Sequence, residues 1–310
     1  MNVTDKVAVC SRSFSRNPTL REELLARYAN VTFNDEGRAL AGAELIDYLK
    51  GHTKAITALE RIDDAVLSAL PELRVIGKYG VGTDAIDLDA MRRHGKRLGW
   101  RGGVNKRSVS ELVIAFAIVM LRQVIAANRE ILAGQWRQIT GGLLTDKTVG
   151  IIGCGHIGKD LVSLLQPFGC RILVNDIKDY PDFYAQYALE VVDKPTLMRE
   201  ADIVTLHLPL DASTQNLVSA DYLSLMKPTA ILINTARGGL VDEKALKDAL
   251  KNGRLAAAAF DVFANEPPGD HELLALPNFL ASPHIGGSAA EAILAMGRAA
   301  IDGLDEHFEP

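Results

Sequence analysis

Three glycines, Gly153, Gly155 and Gly158, stand in G-x-G-x-x-G spacing directly after an apolar run and directly before a helical pattern. In that setting the first glycine allows a tight turn and the second lets the backbone approach a pyrophosphate. The third lets helix and strand pack closely, which leaves a phosphate at the helix N-terminus. Asp176 closes the next apolar run, 18 residues after Gly158. That is near the spacing of a carboxylate that bonds both hydroxyls of a ribose, and its charge would repel a 2'-phosphate, so NAD is expected over NADP. The plain alternative is a tight turn followed by a solvated strand end. Cys154, between the first two glycines, reads as a small side chain that fits there rather than as a nucleophile.

Three further stretches carry charge at the C-terminal ends of expected strands, where open α/β sheets place their ligands. They are INTARGGLVDE around Arg237, FDVFANEPP around Glu266 and SPHIGGSAAEA around His284. A lone Arg, Glu or His in a loop is commonly just solvated. Three at strand ends in one nucleotide-binding unit ask for a shared chemistry. Hydride removal from an alcohol carbon requires loss of the hydroxyl proton, which a histidine can take or return. A carboxylate bonded to that imidazole would orient it and stabilise the imidazolium. An arginine offers a planar fork for a substrate carboxylate and can polarise a carbonyl oxygen.

The elements that must position these residues are short Val- and Ile-rich runs alternating with helical patterns, the signature of parallel strands joined by crossover helices. A first series is expected at Val7–Cys10, Val31–Phe33, Ala55–Leu59, Val75–Lys78 and Arg97–Trp100. A second is expected at Thr148–Gly153, Arg171–Asp176, Ile203–Leu208, Ala230–Thr235, Leu255–Val262 and Phe279–Pro283. Six strands match a doubly wound sheet. Between the series, Ser108–Ala133 reads as one long helix with Ser108 as N-cap and Glu111 completing a capping box. A last helical pattern, Ser288–Phe308, has nowhere to pack within the six-stranded unit and is expected to cross back to the first. The fold class is therefore α/β with two domains: residues 1–99 plus 288–310, and residues 100–287, jointed near Trp100 and Gly287.

With these motifs the chain resembles the D-isomer-specific 2-hydroxyacid dehydrogenases over nearly its whole length. The resemblance implies a Rossmann-type NAD-binding domain at 100–287 and a smaller flavodoxin-like substrate domain, with the substrate held between them. It implies Arg237, Glu266 and His284 as the catalytic set. It further implies that Gly80, Val81 and Gly82 of KYGVGTDAID bind the substrate carboxylate, as successive backbone N–H groups do for anions, and Lys78 just before them is expected among the substrate-binding residues. By the same matching, His156, Ile157, His207, Pro209, Thr235, Ala236, Asp261 and Gly287 join the glycines and Asp176 around NAD. The formate branch of the family carries Gln where this chain has Glu266, which disfavours formate. D-3-phosphoglycerate dehydrogenases usually show Arg where this chain has Thr57 and Lys78, although Lys78 and Arg61 still offer point charges to a dianion. NAD(H)-sensing corepressors of the same family are the alternative from a different class. The long apolar helix and the family together imply a homodimer.

Composition bounds these readings. The 310 residues suit two ordinary domains, and 48% hydrophobic with 24% charged residues is a globular composition. A net charge of −5 without a basic run disfavours a nucleic-acid partner. The longest apolar run, Leu112 to Leu121, is about half the roughly 20 residues a bilayer span needs, and the first ten residues show no secretory signal. Cys10, Cys154 and Cys170 lack metal-ligand spacing, so no metal is expected, and free thiols make the cytoplasm the expected compartment.

Overall fold

The computed structural model describes residues 1–310 and divides into two compact units, Met1–Asn105 with Gly287–Pro310, and Lys106–Gly286. In the first unit, β1 (Asn2–Val9), β2 (Tyr28–Phe33), β3 (Lys54–Thr57), β4 (Val75–Lys78) and β5 (Arg97–Gly99) form a parallel sheet in the order β2-β1-β3-β4-β5. That is the flavodoxin-like order. Alternation along the strands feeds two cores. Ala8, Cys10, Ala55 and Ile76 face one way, while Val7, Val9 and Ile56 meet Phe14, Leu20, Ala300, Ile301 and Leu304 on the other. The helix that covers this second face is Ala290–Asp302, from the far end of the chain. It is shorter than the expected Ser288–Phe308 because Phe308 instead pairs antiparallel with Leu98.

A polar hub fixes the same C-terminal segment. The buried Lys54 ammonium donates to Asp305 at 2.9 Å and to the Tyr28 hydroxyl at 3.0 Å, and pairs with buried Asp5 at 3.2 Å. Tyr28 in turn donates to Asp305. Burial, together with the Asp305 carboxylate, pushes the Tyr28 phenol up to about 12.

In the second unit, β6 (Thr148–Ile152), β7 (Arg171–Asn175), β8 (Glu190–Val191), β9 (Ile203–Leu206), β10 (Ile231–Asn234), β11 (Ala257–Phe260) and β12 (Phe279–Ala281) form a parallel sheet ordered β12-β11-β10-β9-β6-β7-β8. Read from β8, this is the doubly wound order with one more strand beyond it, and the order reverses between β6 and β9. The sheet has seven strands rather than the expected six. β8 is two exposed residues long, too short to leave a pattern. Strands β9 to β11 are buried throughout, which is why they read as continuous apolar runs rather than alternations.

The expected single helix Ser108–Ala133 is two helices, Lys106–Leu121 and Val124–Leu132, bent by 60°. Gln123 makes the break in left-handed conformation at φ 51°. Ser108 is not the N-cap. It lies inside the first helix and its hydroxyl donates to Gly286 O at 2.6 Å, while the preceding Arg107 pairs with buried Asp160 at 2.9 and 3.0 Å. The first helix buries Val113, Phe116 and Ala117 against Leu161, Val162 and Leu165. No single helix is long and apolar enough to cross a membrane.

Candidate active site

Arg237, Glu266 and His284 follow β10, β11 and β12, three consecutive strands of one sheet. The loop carrying His284 is built around a buried carboxylate. Asp261, just past β11, accepts from Ile285 N and Gly286 N at 2.7 Å each and from the Ser282 hydroxyl, and its own carbonyl takes His284 N at 2.9 Å. These bonds hold His284 at φ 55°, a left-handed backbone that a side-chain-bearing residue adopts only when its surroundings impose it. The imidazole Nδ1 then lies 2.8 Å from Glu266 Oε2, while Glu266 Oε1 accepts Phe263 N at 3.1 Å. A carboxylate only accepts, so Nδ1 carries the hydrogen and Nε2 is left to exchange a proton with a ligand. Both side chains are partly exposed, 50% for His284 and 39% for Glu266, so a small molecule can reach them.

Arg237 stands in a turn that begins at Asn234. The buried Asn234 side chain donates to Arg237 O at 2.8 Å and accepts from Ala236 N at 3.1 Å, and Arg237 Nη1 donates to Ala236 O at 2.7 Å.

The glycine loop follows β6, at the reversal of strand order. Gly153 has φ 98°, and a Cβ on it would lie 2.4 Å from His207 O; a Cβ on Gly158 would lie 2.2 Å from Gly153 O. Only glycine fits either place. Gly155 instead faces open space at the N-cap of the helix His156–Leu165, whose His156 and Ile157 form its first turn. Asp176, the residue after β7, turns both oxygens to backbone, accepting from Cys154 N at 2.6 Å and Lys178 N at 2.7 Å. It therefore braces the loop while keeping further lone pairs for a diol. Cys154 is buried, which raises its thiol to about 11 and leaves it protonated. Beyond β9, His207 Nε2 meets Thr205 Oγ1 at 3.1 Å and Nδ1 has no partner; burial pushes this imidazole down to about 3, so it is neutral. Thr235 Oγ1 is likewise buried without a partner beside buried Ala236, while Pro209 is exposed. A cradle free of side chains, a diol-ready carboxylate and two orphaned polar atoms suit a dinucleotide: Gly153–Gly158 would take its phosphates and Asp176 a ribose.

The first unit holds the remaining expected residues. Lys78, paired across the sheet with Thr57, is buried, and its ammonium donates to Ala58 O and, at 3.5 Å, to Tyr79 O. Gly80, at φ 123°, would bring a Cβ within 3.5 Å of that ammonium. Val81 O accepts the Trp100 indole N–H at 2.8 Å, fixing the Gly80–Gly82 turn. Gly287 opens the second segment of this unit, close to Asn105. Sequence reasoning missed Asn105 and Asn234, and it met Thr57 only as the place of an Arg in relatives; the buried side-chain oxygens of Asn105 and Thr57 lack partners. A polar residue within an otherwise apolar run, Ala55–Leu59 or Ala230–Thr235, was the available signal for Thr57 and Asn234.

A doubly wound nucleotide-binding unit with an Arg, a Glu–His pair and a diol-ready Asp at its strand ends defines an NAD-linked oxidoreductase fold. Residues 114–286 match the NAD-binding domain of the D-isomer specific 2-hydroxyacid dehydrogenases, and the chain belongs to that family. It is 34% identical over 282 residues to a D-3-phosphoglycerate dehydrogenase of Methanocaldococcus jannaschii, covering 90% of this chain but only 54% of that one. A glyoxylate reductase of Thermococcus litoralis is 35% identical over 242 residues, 75% of this chain and 73% of the relative. Among solved structures, the NAD-complexed D-isomer specific 2-hydroxyacid dehydrogenase of Lactobacillus delbrueckii ssp. bulgaricus superposes with a TM-score of 0.80 at 25% identity, covering 96% of each chain. NAD is the cofactor of this fold.

Proposed function

We propose that the protein catalyses reversible hydride transfer between NAD(H) and C2 of a small D-2-hydroxy acid or 2-keto acid. The observation that carries the reading is the Glu266–His284 pair, with Nδ1 engaged and Nε2 left for a ligand. Nicotinamide, when bound, supplies or accepts the hydride. In the reducing direction His284 Nε2 gives its proton to the carbonyl oxygen as that oxygen gains charge. In the oxidising direction it takes the hydroxyl proton, and Glu266 stabilises the imidazolium that results. Arg237 holds the substrate carboxylate and polarises the carbonyl. The substrate-binding part is assigned to residues 1–99 with 288–310, where Lys78 and the Gly80–Gly82 turn offer an ammonium and backbone N–H groups to an anion, and the NAD-binding part to 100–287.

A homodimer is part of the proposal. Ile131, Leu132, Trp136 and Leu143 are all more than half exposed on one stretch of the second unit, an apolar surface that a second copy would cover. Three free cysteines support a cytoplasmic location. The test is NADH oxidation against glyoxylate, hydroxypyruvate, pyruvate, longer 2-keto acids and phosphohydroxypyruvate, with His284→Ala alongside. Turnover lost in the variant supports the reading. NADH binding with no turnover of any keto acid overturns it in favour of a sensor.

A further inference from the structure

We infer that Asn234 is a positioning residue that sets Arg237 and ties it to the His284 loop; the inference rests on the reading of Arg237 as the holder of the substrate carboxylate. Asn234 is the last residue of β10 and is 1% exposed. Its side chain spans the turn that follows, accepting from Ala236 N with Oδ1 and donating to Arg237 O with Nδ2. One amide thereby fixes the backbone on both sides of Arg237. No other uncharged side chain of that length offers a donor and an acceptor so close together.

The main chain of Asn234 continues the connection. Its carbonyl accepts Asp261 N at 2.9 Å, and Asp261 is the carboxylate that gathers Ser282, Ile285 and Gly286 around His284. Two neighbouring strand-end residues, bonded to each other, thus hold the two loops that carry the carboxylate holder and the acid–base group. Gly238 closes the assembly from the other side. A Cβ there would lie 1.8 Å from Phe263 O, so the Arg237 turn rests directly on the loop whose Phe263 N–H holds Glu266. Arg237 and the Glu266–His284 pair must share one frame, because a misplacement of about 1 Å between catalytic groups costs on the order of a hundredfold in rate.

The test uses Asn234→Asp, which is isosteric. It keeps the acceptor for Ala236 N–H and sets an oxygen against Arg237 O in place of a donor. Hydrogen–deuterium exchange should speed up in the peptide spanning 234–239 while the β6–β9 peptides stay protected. The KM for the keto acid should rise about tenfold with the NADH dissociation constant unchanged. In an Arg237→Ala background the same substitution should change keto-acid KM by less than about twofold. Unchanged exchange at 234–239, exchange raised throughout the unit, or an undiminished effect in the Arg237→Ala background would overturn the inference. If the wild-type protein turns over no 2-keto acid, the functional reading fails on its own, and the exchange result still decides whether Asn234 holds the turn.

Discussion

Replacing Glu266 with glutamine removes one charge and almost no volume. The new side chain retains a carbonyl oxygen for His284 Nδ1–H, while its amide nitrogen then faces Phe263 N or the imidazole. Hydrogen bonds to a charged group contribute about 1.5–3 kcal/mol and neutral ones about 0.5–1.5 kcal/mol, so neutralising this partner costs the imidazolium roughly 1–1.5 kcal/mol. The pair sits partly in solvent, at 50% and 39% exposure, which places the effect at the lower end. The sign follows from where charge develops. Oxidation of a hydroxy acid builds positive charge on His284 as it takes the hydroxyl proton, and the variant lacks the carboxylate that stabilises that charge. At about 1 kcal/mol the loss should lower kcat/KM for oxidation about fivefold, since 1.36 kcal/mol is tenfold in rate. Initial rates of NAD reduction with the matching 2-hydroxy acid at saturating NAD, with unfolding temperature as a control for folding, would measure it. A variant with the wild-type rate would refute the assignment of Glu266 as the partner that stabilises the imidazolium.

Removing the Asp261 side chain with alanine strands the buried Gly286 N and the partly buried donors Ile285 N and Ser282 Oγ. At roughly 1–3 kcal/mol each and less than additive, the loss should be about 3–5 kcal/mol and the unfolding temperature should drop by about 10 °C. A drop below about 2 °C in a thermal scan would contradict the geometry. Burial of His207 lowers its pKa to about 3, so the folded state keeps it neutral while the unfolded chain protonates near the ordinary value of 6.5. Its contribution is fully present above that ordinary value and is lost as pH falls from there toward 3. Stability measured by urea unfolding should decline by about 2 kcal/mol at pH 5, and His207→Gln should flatten that slope; an equal slope in the variant would exclude His207 as its source. Trp136→Glu, at a position 87% exposed, should leave the fold intact and convert the proposed dimer to monomer in light scattering. Unchanged mass would move the interface elsewhere.

Both sheets were readable as Val- and Ile-rich runs because parallel strands are apolar on both faces. The ends of the strands were less so. The expected strands of the second unit overshoot the observed ones by one or two residues, ending at Gly153, Asp176, Leu208, Thr235, Val262 and Pro283 where the ladders stop at Ile152, Asn175, Leu206, Asn234, Phe260 and Ala281. The overshoot falls on the residues that leave the ladder to build the site, because an apolar run does not mark where its last ladder hydrogen bond is made. Glycines were legible because the close approaches at Gly153 and Gly158 exclude every other side chain. Ser108 shows the opposite case. Its capping-box spacing is present, but contacts distant in sequence, Arg107 to Asp160 and Ser108 to Gly286, extend the helix past it. The bend at Gln123 had no signal, since a left-handed glutamine carries none. Asn234 was hidden by its position, reading as a polar end to an apolar run while its function lies in two bonds to the turn beyond.

The C-terminal helix and the Lys54 hub have a consequence for how the chain is made. Residues 287–310 belong to the same compact unit as residues 1–105, so that unit is split by the entire second unit. During synthesis the ammonium of Lys54 and the apolar face around Leu20 and Ile56 emerge long before Asp305, Ala300 and Leu304 exist to cover them. At roughly 5–20 residues per second the ribosome needs on the order of 10–40 s to bridge the gap. The second unit, continuous in sequence, completes first, and the half-finished N-terminal sheet waits with one face covered only in part, by Phe14, Leu20 and Leu24. A ribosome stalled before Gly287 would carry one finished domain and one sheet face still lacking Ala300, Ile301 and Leu304.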